Sequence, residues 1–79
     1  MDQEYFKTIL CREIAAELSM APEDIDDQAT FMRLGVSSVQ ALKIVNRLRK
    51  QLEIDINPVA LFEFRTIEDF SGYLADEVA

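Results

Sequence analysis

Apolar residues recur at helical spacing in three separate stretches of this chain, and no pair of stretches alternates as paired strands would. In the first, from about Gln3 to Leu18, Phe6, Ile9, Leu10, Ile14 and Leu18 share one face, with Lys7, Arg12, Glu13 and Glu17 filling the other. In the second, from about Ser38 to Leu52, Val39, Leu42, Val45, Leu48 and Leu52 fall near one stripe, widened by Ile44. The third runs from Ile67 to about Val78, with Ile67, Phe70, Tyr73, Leu74 and Val78 facing inward. Thr66 is a suitable N-cap for it, and Asp69, three residues on, resembles the acidic partner of a capping box. Gly72 within that segment costs about 1 kcal/mol relative to alanine, too little to end the helix. Pro58 opens a short helical turn over Val59 to Phe62. The expected fold is all-α: an antiparallel bundle of three main helices and one short one.

The first two helices are joined by a long connection, Ser19 to Val36, which contains Pro22, the acids Glu23, Asp24, Asp26 and Asp27, and Gly35. A loop of this length in a small domain is commonly functional. Ile25, Phe31 and Leu34 are expected to pin it to the core, and its acids to be solvated. At 79 residues and 49% hydrophobic, the chain suits one folded domain, 1–79, with a single small core. No apolar run is long enough to span a membrane, and Met1-Asp2-Gln3-Glu4 lacks the features of a signal peptide. One cysteine, Cys11, leaves the fold to packing alone and fits a cytoplasmic location. Glu13 and Glu17 nearby make Cys11 a packed thiol rather than a reactive one. There is no histidine, so neither a Ser-His nor a Cys-His catalytic arrangement is available, and no metal site is expected. Asp24, Asp26 and Gln28 hint at calcium-loop spacing but lack its glycine and terminal glutamate. A net charge of −7 disfavours nucleic-acid binding. The chain is expected not to be an enzyme and to act as a monomer.

The sharpest local feature is Leu34-Gly35-Val36-Ser37-Ser38-Val39, where a glycine and two serines end the long loop directly before an amphipathic helix. A serine hydroxyl there sits beside free backbone N–H groups and the positive end of the helix dipole, which favour a phosphate. Simple N-capping accounts for the same residues. With no histidine to activate it, the serine is a poor nucleophile, so any chemistry on it must be performed by another protein.

In these residues the chain resembles the acyl carrier proteins and the related peptidyl carrier domains. Their motif, Leu-Gly-x-Asp-Ser-Leu, bears the modified serine at the start of the second helix of a four-helix bundle. Phe31 to Leu34, Gly35, Ser38 and Val39 match it in order and spacing, and Leu61-Phe62-Glu63 followed by Phe64-Arg65-Thr66-Ile67 is similar to the corresponding segment of polyketide-synthase-type carriers. The resemblance implies a carrier bundle with a long first loop and 4′-phosphopantetheine attached to Ser38 from coenzyme A. It implies a phosphopantetheinyl transferase as modifying partner, and a ketosynthase, acyltransferase or other polyketide tailoring enzyme as client. The usual aspartate before the serine is Ser37 here.

Between Ser37 and Leu52 lie Lys43, Arg47, Arg49 and Lys50 and no acid. Lys43, Arg47 and Lys50 share a face, which is either a solvated surface or a docking surface. Fatty-acid carriers are typically acidic along this helix, so the reversed sign implies a dedicated partner set. Val39 and Leu42 are expected to join Lys43, Arg47 and Lys50 in docking. The bundle interior, lined by residues such as Ile9, Leu42, Val45, Leu48 and Phe70, is a candidate shelter for a short acyl chain. The reading is an acyl carrier for polyketide biosynthesis, with a donor role in β-branching as a special case. The alternatives are a peptidyl carrier of nonribosomal synthesis and an unmodified helical interaction module.

Overall fold

The computed structural model describes residues 2–78, and the side chain of Val78 lies outside the described part. Helix α1 spans Gln3–Leu18. Asp2 caps it by accepting the Tyr5 N–H at 3.0 Å. It ends where Ser19 turns left-handed at φ 56°. Its Phe6, Leu10 and Ile14 enter the core, as the periodicity predicts. Helix α1 packs chiefly along the last helix and also meets the helix that begins at Ser38.

The long connection is more structured than its composition suggests. It holds a 3₁₀ turn at Pro22–Asp24 and a one-turn helix, α2, at Phe31–Leu34. Thr30 caps α2 by accepting the Arg33 N–H at 3.1 Å, and Gly35 ends it at φ 98°, where only glycine sits without strain. Ile25 is buried, and Phe31 and Leu34 pack partly buried against the core, so the three do pin the segment down. The loop acids are not all solvated. Asp27 is half-buried, lies 3.4 Å from the Lys7 ammonium and accepts the Glu68 N–H on its carbonyl at 3.0 Å.

Helix α3 spans Ser38–Leu52, α4 Ala60–Glu63 and α5 Ile67–Tyr73. A π-helical turn, Leu74–Val78, extends α5. The short helix therefore begins one residue later than expected. At α3 the inward stripe is Ala41, Ile44, Val45 and Leu48. Val39 and Leu42, expected on the apolar stripe, are 64% and 42% exposed. The small Ala41 is the residue that borders the interior with Phe31 and Val36, which turns Val39 outward and Leu42 to the flank. Among the described residues the only β-type pairing is an isolated bridge between Thr30 and Thr66. It clasps the segment before α2 to the segment before α5, and the Phe31 N–H reaches the Arg65 carbonyl beside it at 2.9 Å. Thr66 caps α5 by accepting the Asp69 N–H at 3.0 Å.

Lys7, expected on the solvent face, is instead half-buried among Glu4, Asp27 and Glu68. Gln3 adds a bond from Nε2 to the Glu68 carbonyl at 3.1 Å, and the buried Ser71 hydroxyl donates to the same carbonyl at 2.9 Å. These polar groups join α1, α5 and the long connection at one end of the bundle.

Candidate functional site

The site is built where the connection enters α3. Gly35 reverses the chain, and Val36, only 5% exposed, anchors the next residue to the core. Ser37 is the N-cap. Its Oγ accepts the Gln40 N–H at 3.1 Å, and Gln40 Oε1 accepts the Ser37 N–H at 2.9 Å. This reciprocal capping box sets where α3 starts. Its signature, serine followed three residues later by glutamine, is readable in Ser37-Ser38-Val39-Gln40. At Thr66 only the hydroxyl-to-backbone half of such a box forms among the described residues.

Ser38 is the first helical residue, not the cap. It is exposed, and its hydroxyl has no hydrogen-bond partner among the described residues. It lies in the wall of an open groove of about 560 Å³ between α2, the start of α3 and the α4 region. The groove is predominantly apolar. Met32, Leu42, Val59 and Phe62 line it while staying 83%, 42%, 58% and 70% exposed. Exposed apolar side chains gathered in one place mark a binding surface more reliably than scattered ones. Of these, sequence reasoning found Leu42 and, beside the groove, Val39. It missed Met32, Val59 and Phe62, because nothing local shows that α2 is helical or which face of so short a helix as α4 stays outward.

The packing beneath the groove is tight. The void beneath the groove, bordered by Leu10, Ile14, Phe31 and Val45 among others, has about 10 Å³, room for one water at most. Of the residues named as lining a candidate shelter, Val45 borders this small space and Phe70 lies beside it, whereas Leu42 belongs to the groove wall.

Lys43, Arg47 and Lys50 are all exposed on α3, as the spacing predicts. They are not equivalent. Arg47 Nη2 lies 3.2 Å from Glu13 Oε2 on α1, whereas Lys43 and Lys50 enter no ion pair among the described residues. Arg49 and Lys50 also complement the α3 C-terminus. Cys11 is half-buried, and burial, with Asp27 as a second cause, pushes its thiol pKa up, which suits the unreactive role expected.

Comparison with known proteins fits this geometry. Residues 8–74 match the family described as a phosphopantetheine attachment site. The chain belongs to that family. The carrier is 31% identical over 98% of its length to polyketide synthase PksN of Bacillus subtilis and 38% identical over 73% to PksL of the same organism. It is 31% identical over 81% to the conidial pigment polyketide synthase alb1 of Aspergillus fumigatus. It spans only 2%, 1% and 3% of those relatives. In structure it resembles a free-standing peptidyl carrier protein from a secondary metabolic pathway of Acinetobacter baumannii, with TM-score 0.87 and 29% identity over 96% of this chain and 95% of that one. The small helical bundle is thus the carrier fold. Carriers of this family bear 4′-phosphopantetheine covalently and are not themselves catalytic. Those of polyketide synthases are modified by a phosphopantetheinyl transferase and work with synthase-type enzymes. An exposed hydroxyl at a helix N-terminus, beside an apolar groove and clear of acids, fits such a group. No helix among the described residues is long and apolar enough to cross a membrane.

Proposed function

We propose that Ser38 is the attachment site and that the chain carries polyketide intermediates as thioesters. The supporting observation is the division of labour at the start of α3: Ser37 Oγ is engaged by Gln40, while Ser38 stands exposed and uncommitted. In the modification, Ser38 Oγ attacks the pyrophosphate of coenzyme A. A phosphodiester forms and 3′,5′-adenosine bisphosphate leaves. The proton passes to a base on the transferase, since the chain has no histidine to take it. The attached arm supplies a thiol for the acyl group. The residues around it position Ser38, present the groove and raise the effective concentration of cargo at partner sites.

The Ser37 departure from the family's aspartate is compatible with this reading. Serine and aspartate are both strong N-caps, so α3 starts in the same way with either. The polyketide assignment rests on the curated relatives, and the likeness to a peptidyl carrier supports nonribosomal synthesis as the second reading. A donor role in β-branching is a narrower form of the first, supported only by a dedicated partner set for the cationic α3. The cytoplasm is the compartment where coenzyme A and a transferase meet such a chain. Docking is assigned to Val39, Leu42, Lys43 and Lys50, with Arg47 partly drawn off by Glu13. Intact mass measurement with peptide mapping, after incubation with coenzyme A, magnesium and a promiscuous transferase, tests the core of this reading. One phosphopantetheine on the Ser38 peptide, absent in Ser38→Ala and present in Ser37→Ala, is expected. No addition by several transferases overturns it in favour of an unmodified interaction module.

A further inference from the structure

Arg65 is the one charged residue lining the groove, and no acid lines it, although the chain as a whole carries −7. The residue is held from several sides. Its carbonyl accepts the Phe31 N–H at 2.9 Å, its neighbour Thr66 bridges to Thr30, and its Nε donates to the Phe62 carbonyl at 3.0 Å. That last bond uses one guanidinium donor. Both terminal nitrogens lack partners among the described residues, and Arg65 enters no ion pair there. A planar fork with free donors, fixed on a rigid base over apolar surface, suits a carboxylate or a phosphate.

We propose that Arg65 is a specificity-determining residue that holds the terminal carboxylate of a short dicarboxylic acyl group, such as a malonyl half-thioester, in the groove. The proposal rests on attachment at Ser38. A phosphodiester is one bond from Ser38 Oγ and stays at the N-terminus of α3, where free backbone N–H groups serve it. Arg65 comes from the segment between α4 and α5, so it suits an anion at the travelling end of the arm. The apolar lining suits the arm's dimethyl and short methylene segments, and the excess of acid elsewhere leaves this groove as a favourable place for a second negative group.

The test compares three loaded forms of the whole chain: unacylated phosphopantetheine, malonyl, and acetoacetyl, which is nearly isosteric with malonyl and neutral. Mass measurement first establishes loading at Ser38. Failure to load overturns the attachment reading and this one together, and is recognisable because no mass is added. With loading achieved, nitrogen–proton spectra follow the Arg65 side-chain Nε–H and the amides of residues 59–66. The docked-to-free equilibrium read from these signals is expected to favour malonyl over acetoacetyl by about two- to fivefold, the preference a partly exposed ion pair supplies. Arg65→Gln should erase the difference and Arg65→Lys retain part of it, each with no more than the small fall in melting temperature that loss of the exposed Nε bond to the Phe62 carbonyl accounts for. Equal movement by malonyl and acetoacetyl, or the full movement already present in the unacylated form, overturns the proposal. The latter result would assign Arg65 to the phosphodiester.

Discussion

Arg47 on α3 and Glu13 on α1 form an ion pair at 3.2 Å, so one of the three cations sharing a face of α3 is bonded within its own fold. The outward charge of that face is carried by Lys43 and Lys50. Charge-reversal variants should therefore divide into two classes. Lys43→Glu and Lys50→Glu are expected to slow association with cognate enzymes and to change its salt dependence, with stability within about 0.5 kcal/mol of the parent. Arg47→Glu should also lose up to about 1 kcal/mol of stability, because it places a second acid against Glu13. Stopped-flow association across a salt series, together with urea melts, measures both. Rates that stay constant with salt would remove the electrostatic docking surface.

The two adjacent serines should separate cleanly under substitution. Ser37→Ala removes the capping box and is expected to cost about 1 kcal/mol, lowering Tm by about 4–8 °C in a domain this size, while modification continues. Ser38→Ala should abolish modification and leave Tm nearly unchanged, since Ser38 is the first helical residue and not the cap. Melting curves beside intact masses read this directly. A large stability loss in Ser38→Ala would contradict the assignment of the cap.

Gly72 offers a route to a more stable carrier. A Cβ added there would meet Gln3 Nε2 at 3.6 Å, an ordinary contact, and its backbone is helical. Gly72→Ala should therefore stabilise by about 0.5–1 kcal/mol through helix propensity and a less flexible unfolded chain. Urea unfolding with an unchanged m-value is the expected observation, and destabilisation would mean that the π-helical turn after Tyr73 needs the glycine.

The Lys7 cluster sets a pH dependence. A hydrogen bond to Glu68, opposed by burial and reinforced by Glu4, raises the Lys7 pKa above its ordinary 10.5. A raised lysine pKa favours the folded state while the unfolded ammonium is still protonated. The contribution is thus complete at neutral pH. It declines once pH exceeds 10.5, where the unfolded chain gives up the proton first. The stability difference between wild type and Lys7→Met should be flat from neutral pH to about 10 and shrink above it. Chemical denaturation at a series of alkaline pH values gives that difference, and a difference that grows with pH would reverse the assignment.

Much of the bundle is legible in the residues themselves. The stripes Phe6–Leu10–Ile14 and Ile67–Phe70–Leu74 become core because each long helix has one face to bury. Glycine and serine before an amphipathic run locate the start of α3. What periodicity misjudges is the rotation of α3. Val39 and Leu42 are as apolar as the residues that bury, and only the fit of Ala41 against Phe31 and Val36 decides which stripe turns inward. The groove was hidden for a related reason. Its walls come from Met32 on one side and from Phe62 and Arg65 on the other, two segments distant in sequence that the Thr30–Thr66 bridge brings together. Lys7 was misplaced because its partners Asp27 and Glu68 lie far along the chain, beyond the reach of any local pattern.

The tight packing beneath the groove bears on timing. If Ser38 bears the arm, as proposed, the first surface a carried group meets is the open groove and not the space of about 10 Å³ below it. A group resting there leaves for a partner without any core side chain having to move, so encounter and release set the pace.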